Sequence, residues 1–463
     1  MSLRRRRNKR QGILPFVMKM GERDDVTARA GLPLVIETAR AFRLDEEARK
    51  LLGRARRKCD FGPDEKLEAL YTLIAAGGDR IEDIRILSED KGLMRLLARE
   101  FPSPDALLDL LRDCHDEKCW ADRPKGKKAF VPPESDKLCA LEALNRALVH
   151  RAADPKATVA TIDHDGTIVE SHKRGALVAY EGTRGYQPLV AVWAEEQLVV
   201  ADEFRDGNVA GGEDPLSSVK RAFGNLPARV RERYFRGDSA SYYTPLLKYL
   251  EDEGIAFGIS ADMTRELRKR CVALAASEWK QMEKRPSETV DLAEVEFEPG
   301  DWPKSARPLR YVAIRITPEQ GELFEERPVK YVAVASNRTE MGAADLVDWH
   351  RGKAGTIEHV HRAMKDELGA GVMPCQEFGA NAAWFRINAI TFNLLTALKR
   401  HALPDRYRLA RPKRLRFELF TVPGKLAVHE SQLSVNVPVA KQRFREIVGA
   451  RQRLLATLEA AGE

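Results

Sequence analysis

Six cysteines in 463 residues, at positions 59, 114, 119, 139, 271 and 375, form no CxxC pair. So few, so widely spaced, they give no disulfide framework, and Cys114, His115 and Cys119 lack the second ligand pair that a zinc site needs. Thiols left reduced imply an intracellular protein. No apolar run reaches the ~18 residues of a membrane span, so no membrane partner is expected. Neither an internal repeat nor a glycine-rich phosphate loop occurs. The run Arg4-Arg5-Arg6-Arg7 with Lys9 and Arg10 is followed by no long apolar stretch, so it reads as a basic arm rather than a signal peptide.

What is present is an ordinary apolar fraction, 43%, enough to bury a real core, and a high charged fraction of 32%. The net charge is +7 and the isoelectric point about 9.0. That balance favours an anionic partner, nucleic acid first, although a merely basic soluble enzyme would look the same. A chain of 463 residues holds two to four domains at roughly 100–200 residues each.

The pattern divides the chain. Residues 1–25 are the basic arm. Residues 26–150 read as a helical, DNA-binding domain, with Gly77 and Gly78 ending one helix and Ser103-Pro104 starting another. Residues 121–135 have the composition of a linker. From 157 the periodicity shifts towards strands, and the order is three strands, helix, strand, helix, strand, up to about residue 262. Residues 263–340 are β-rich and read as an insertion. Helical pattern resumes from Gly355, with Thr356 as a possible cap, over 341–400. Residues 401–463 end in a charged helix and read as a DNA-binding or dimerisation region.

Three acidic positions stand out. Asp163 and Asp165 lie two apart on one strand, so both point to the same face, where like charges need neutralising. Asp238, in Arg236-Gly237-Asp238-Ser239, falls between a strand and a helix, where ligand sites in α/β sheets tend to lie. Glu358 shares a helix face with His361, Arg362 and Lys365 at i+3, i+4 and i+7. Each has a plainer reading as a turn, a cap or a solvated face. Together they suit phosphodiester chemistry. Two Mg²⁺ ions roughly 3.5–4 Å apart can activate a nucleophile and stabilise a leaving oxygen, and Mg²⁺ takes only one or two carboxylates per ion.

With these strings in hand, the chain resembles the DDE transposases of bacterial insertion sequences. Within them it resembles the insertion-sequence thirteen-eighty group, relatives of the insertion-sequence-four transposases. The resemblance runs from about Gly31 to Pro423 through Gly31-Leu-Pro33, Ala76-Gly-Gly-Asp79, Asp163-His-Asp165-Gly-Thr167 and Gly185-Tyr-Gln-Pro188. It continues through Phe204-Arg-Asp-Gly-Asn208, Arg236-Gly-Asp238-Ser239, the Gly355–Lys365 helix and Phe378-Gly-Ala-Asn-Ala-Ala-Trp384. It implies an α/β fold: an RNase H-like core, with a mixed five-stranded sheet and helices, carrying a β-rich insertion and an N-terminal helical domain. It implies catalytic, metal-binding residues Asp165, Asp238 and Glu358, with Asp163 the alternative first ligand; Asp165 is preferred because Thr167 follows it two positions on. It implies Mg²⁺, with Mn²⁺ able to substitute, double-stranded DNA (terminal inverted repeats and target) as partner, a homodimeric synaptic complex, and a bacterial cytoplasmic, nucleoid-associated location. A transposase-derived DNA-binding protein, or a nuclease that does not join DNA, is the alternative.

One departure concerns the phosphate contacts. Related transposases carry a Tyr–Arg–Glu–Lys signature around the glutamate. The lysine here is Lys365, but Ala354 stands at the arginine position and Arg351 at the tyrosine position, so Arg351 or Lys353 would supply the charge. With His361, Arg362 and Lys365 they form the expected DNA-contacting set. Trp302, inside the insertion, either stacks on a DNA base or packs the insertion.

Overall fold

A computed structural model describes residues 24–53, 61–122, 124, 128–318, 328–430 and 432–460. Nearly all of the basic arm (1–25), and Lys125 and Lys127 of the linker, lie outside the described residues. The first long strand, β1 (Val159–Gly166), sits inside a nine-stranded sheet. Its companions in chain order are β2 (Leu189–Trp193), β3 (Leu198–Glu203), β4 (Glu232–Gly237) and β5 (Ala256–Ser260). Then come β6 (Lys280–Arg285), β7 (Glu288–Glu294), β8 (Arg310–Pro318) and β9 (Lys330–Ser336). The spatial order is β6-β7-β8-β9-β5-β4-β1-β2-β3. Strands β1, β4 and β5 run parallel, and β2 and β3 are antiparallel additions on the other side. Strands β2 and β3 are buried throughout, which is why they read as continuous apolar runs, Leu-Val-Ala-Val-Trp and Leu-Val-Val-Ala, rather than as alternation.

Helices connect these strands where the sequence pattern placed them. Helix α2 (Pro215–Gly224) lies between β3 and β4, and α3 (Thr244–Asp252) between β4 and β5. Gly254, in the left-handed region at φ 62°, turns the chain from α3 into β5. The segment 280–336 does not pack apart from this unit. Its strands β6–β9 are antiparallel to one another, and β9 pairs with β5, so they lengthen the same sheet. Strand β6 escaped the sequence reading because Lys-Gln-Met-Glu-Lys-Arg has no apolar alternation; it is a charged, mostly exposed edge strand.

Helices at 33–41, 44–52, 63–76, 84–89, 91–97 and 104–112 precede α1 (Asp136–Ala152). Gly77 stops the helix at 63–76 with φ 100°, and the Ser103 hydroxyl accepts from the Ala106 N–H at 3.2 Å. These helices and the sheet share one hydrophobic core. Its centre is α5 (Phe378–His401), whose 24 residues are buried nearly all round. Several of its buried polar side chains are held by specific hydrogen bonds. Asn393, for example, accepts from the Val199 N–H at 2.8 Å and donates to the Val199 carbonyl at 2.8 Å.

Candidate active site

Helix α4 (Ala343–Arg362) passes across β1, β2, β4 and β5. The sequence reading started it at Gly355 with Thr356 as cap. It starts twelve residues earlier, behind Gly342, and Thr356 sits mid-helix with its hydroxyl on the Lys353 carbonyl at 3.0 Å and on Asp163. Gly352 hid this start, since glycine inside a helix usually signals an end. Here it lets another chain segment approach: a Cβ at 352 would lie 2.5 Å from Arg236 Nη1.

The parallel register of β1 and β4 builds the site. Asp163 opposes Arg236 and His164 opposes Gly237, so Asp165 and Asp238 follow side by side as the two strands end. Asp163 is completely buried. Arg236 grips it with both prongs, Nε to Oδ1 at 2.6 Å and Nη2 to Oδ2 at 2.9 Å, and gives Nη1 to the Trp349 carbonyl at 2.7 Å. With Thr356 also on it, Asp163 is fully engaged as the ion pair fastening β1, β4 and α4. Asp165 and Asp238 instead line an open cleft of about 910 Å³. Of the two neighbours on β1, the structure therefore offers Asp165, and not Asp163, to a ligand.

Gly237 makes the turn into Asp238 possible, because a Cβ there would sit 2.5 Å from the Ser241 Cβ. The Asp238 carboxylate accepts from the Ala240 N–H at 3.2 Å. Burial raises its pKa above the ordinary carboxylate value; Lys353 pulls it down, and Asp165, within hydrogen-bonding reach, pushes it up again. Lys353 is itself buried, and its ammonium lies 3.1 Å from Asp165 Oδ2. One ammonium thus serves two adjoining carboxylates, leaving negative charge uncompensated.

Asp262, two residues beyond β5, also lines the cleft, and both burial and the charge of Asp238 raise its pKa. The sequence reading missed it because no pattern separates it from an ordinary loop aspartate.

Glu358 is not brought to this pair. It is exposed and lies about 200° around α4 from Thr356, which faces β1. Among the described residues, no group of three His, Cys, Asp or Glu side chains is placed to hold a metal ion.

The basic set is divided. Lys365 enters the cleft, giving its ammonium to the Ile168 carbonyl at 2.6 Å and the Thr167 hydroxyl at 3.2 Å. It does so from a π-helical turn, Ala363–Glu367, which takes it off the face that regular helical spacing would share with Glu358. His361 is held near pKa 4 by burial and by Lys365 and Lys353, so it is neutral, and its Nε2 has no hydrogen-bond partner among the described residues. Arg351 is 3.7 Å from Glu283 and 3.8 Å from Asp348. Arg362 is exposed. Trp302 is 4% exposed and donates its indole N–H to the Arg307 carbonyl at 3.0 Å. It packs the β-rich segment and presents no free face to a base.

A model of the family "Transposase DDE domain group 1" matches residues 18–456. No curated protein matches the chain. Among solved structures, a cryo-EM structure of the piggyBac transposase synaptic complex with hairpin DNA is similar at 13% identity and a TM-score of 0.48, over 85% of this chain and 81% of that one.

Proposed function

The chain belongs to the DDE-domain transposase family and is a DNA-cleaving transposase, and on that premise we propose that it cuts at the terminal inverted repeats of its own element and joins the ends to target DNA. The observation that carries this reading is the pair Asp165 and Asp238, side by side at the ends of two parallel strands and open to a cleft. The strand order β3-β2-β1-β4-β5 supports an RNase H-like core. The motif order supports placement in the insertion-sequence thirteen-eighty group. Double-stranded DNA as partner, a homodimer at synapsis and a bacterial cytoplasmic setting complete the proposal.

The donor set fits a hard divalent cation. It is all carboxylate oxygen, and its negative charge exceeds what Lys353 supplies. Mg²⁺, with Mn²⁺ as substitute, would be held by Asp165, Asp238 and Glu358, and would supply an activated hydroxyl nucleophile and a stabilised leaving oxygen. The chain's own contribution is placement. Arg236, Asp163 and Thr356 lock β1 to β4 and α4, so the two aspartates project in fixed register. Lys353 holds them together against their mutual repulsion. Lys365 reaches the cleft wall, where a phosphate oxygen can replace its carbonyl partner.

Glu358 is proposed as the third ligand because Lys353 and Lys365, on either side of it in the chain, both contact the cleft. Bringing it in requires α4 to turn about its axis beyond Thr356. The competing third carboxylate is Asp262. The Glu358→Gln variant is expected to lose end cleavage by at least about a hundredfold while its denaturation midpoint stays unchanged, since the side chain is exposed. The Asp262→Asn variant is expected to cleave within a few-fold of wild type. Parallel cleavage assays decide it: the reverse pattern would move the third ligand to Asp262.

A further inference from the structure

The cleft lining carries six carboxylates and the ammonium of Lys365, with the buried Lys353 behind Asp165. A nucleic-acid strand entering such a site meets repulsion at its phosphates, so contacts that do not depend on charge matter more than usual. The lining offers one such group. Tyr180 is the only aromatic side chain there among the described residues, and it is 75% exposed. An open ring at the edge of a polar cleft offers a face on which a nucleobase can stack, whatever its sequence.

Its support is rigid. Tyr180 sits at the tip of a hairpin whose strands, Leu177–Val178 and Arg184–Tyr186, pair in antiparallel register. The turn closes through the Ala179 N–H to the Thr183 carbonyl at 2.7 Å and the Gly182 N–H to the Ala179 carbonyl at 2.9 Å. Gly182 adopts φ 88°, which a side chain would resist. At the base, the Arg184 guanidinium donates to the Ala176 carbonyl at 2.8 Å and the Arg174 carbonyl at 3.1 Å. Gly207 lets the neighbouring strand lie against the hairpin, since a Cβ there would be 2.5 Å from the Leu177 carbonyl oxygen. The phenol donates to Glu181 at 3.2 Å. That bond, with smaller effects from burial and from Glu181, Asp238 and Asp165, raises its pKa, so the ring stays neutral. Ala210, Gly211, Gly212 and Ala240 also line the cleft, and their small side chains leave room for a planar group.

We infer that Tyr180 stacks on the nucleobase next to the scissile phosphate and so seats the strand at Asp165 and Asp238. The inference rests on the transposase reading and adds to it a positioning residue outside the metal-binding carboxylates. Stacking is worth enough per base that the Tyr180→Ala variant slows single-turnover end cleavage by about 5- to 150-fold. The Tyr180→Phe and Tyr180→Trp variants restore it, because the ring and not the hydroxyl makes the contact.

The test combines those rates with photocrosslinking of the wild-type protein to an end duplex carrying 5-iodouracil beside the cleavage position. A crosslink mapped to residue 180, together with ring-dependent rates, is the expected result. Wild-type rates in Tyr180→Ala, or a crosslink mapped elsewhere, would overturn the inference. A crosslink at 180 without cleavage by the wild type would uphold the contact and sink the transposase reading instead. Absence of both crosslink and cleavage would sink the two together.

Discussion

The Asp165→Asn and Asp238→Asn variants are expected to lose cleavage of matched DNA ends by at least about a thousandfold, while folding almost as well as wild type. The size follows from what each carboxylate does: removing a ligand charge forfeits several kcal/mol of cation-mediated stabilisation at the reacting oxygens. The unchanged stability follows from where they sit. Both border a solvent-filled cleft, and Asp165 is bonded to one ammonium, not enclosed. Asp163, two residues earlier on the same face, should behave in the opposite way. The Asp163→Asn variant leaves Arg236 buried without its counter-charge and should cost about 3–5 kcal/mol of stability. Urea denaturation of the three variants, alongside cleavage rates, checks this. A stable Asp163→Asn variant devoid of cleavage would reverse the assignment of the first ligand.

The second large effect lies away from the cleft. Arg386, on α5, is 2% exposed and all its donors are used. Nε goes to Asp202 at 3.0 Å, Nη1 to Glu134 at 2.7 Å and to the Leu138 carbonyl at 2.8 Å, and Nη2 to Glu134 at 2.8 Å and the Asp202 carbonyl at 3.1 Å. It joins the segment entering α1, strand β3 and the central helix. The Arg386→Met variant keeps the volume but leaves buried Asp202 and half-buried Glu134 with Arg221 alone, which bonds Glu134 at 2.7 Å. A loss of about 3–5 kcal/mol is expected; a loss under about 1 kcal/mol would mean that the network is dispensable.

The same cluster sets a pH dependence. Burial would raise the Glu134 pKa, but Arg386 and Arg221 outweigh it and hold the carboxyl at about 2 against an ordinary 4.5. A carboxyl whose folded value is depressed contributes stability that is complete above pH 4.5 and is lost as pH falls towards about 2. The stability gap between wild type and the Glu134→Gln variant should therefore narrow over that window. A constant gap would show that Glu134 is not held in its charged form by its partners.

Much of this was legible in the residues, and what was not has physical causes. The strands and helices from β1 to β5 announce themselves because the buried strands are apolar runs and Gly254 marks a turn. Asp238 was legible because it stands at a strand-to-helix junction, where ligand sites in α/β sheets tend to lie. Between Asp163 and Asp165 the residues alone left both open, since both share a face; the resemblance favoured Asp165, and the β1–β4 register adds that Asp163 is paired with Arg236. The start of α4 was masked by Gly352 and Gly355, and the need for Gly352 lies in Arg236, 116 residues earlier. The Glu358, Arg362 and Lys365 face assumed regular helical spacing, which the π-helical turn at 363–367 breaks. Trp302 was left open between stacking and packing because an aromatic in a polar loop looks the same in sequence whether it is buried or bare; the structure buries it.

The most direct test is a plasmid assay. DNA carrying the inverted repeats that flank this reading frame is incubated with the purified protein and Mg²⁺. The proposal predicts double-strand breaks at the repeat ends and joined products with target DNA, all absent with Asp165→Asn or Asp238→Asn. Intact plasmid with correctly matched ends, or cleavage that survives loss of either aspartate, would contradict it.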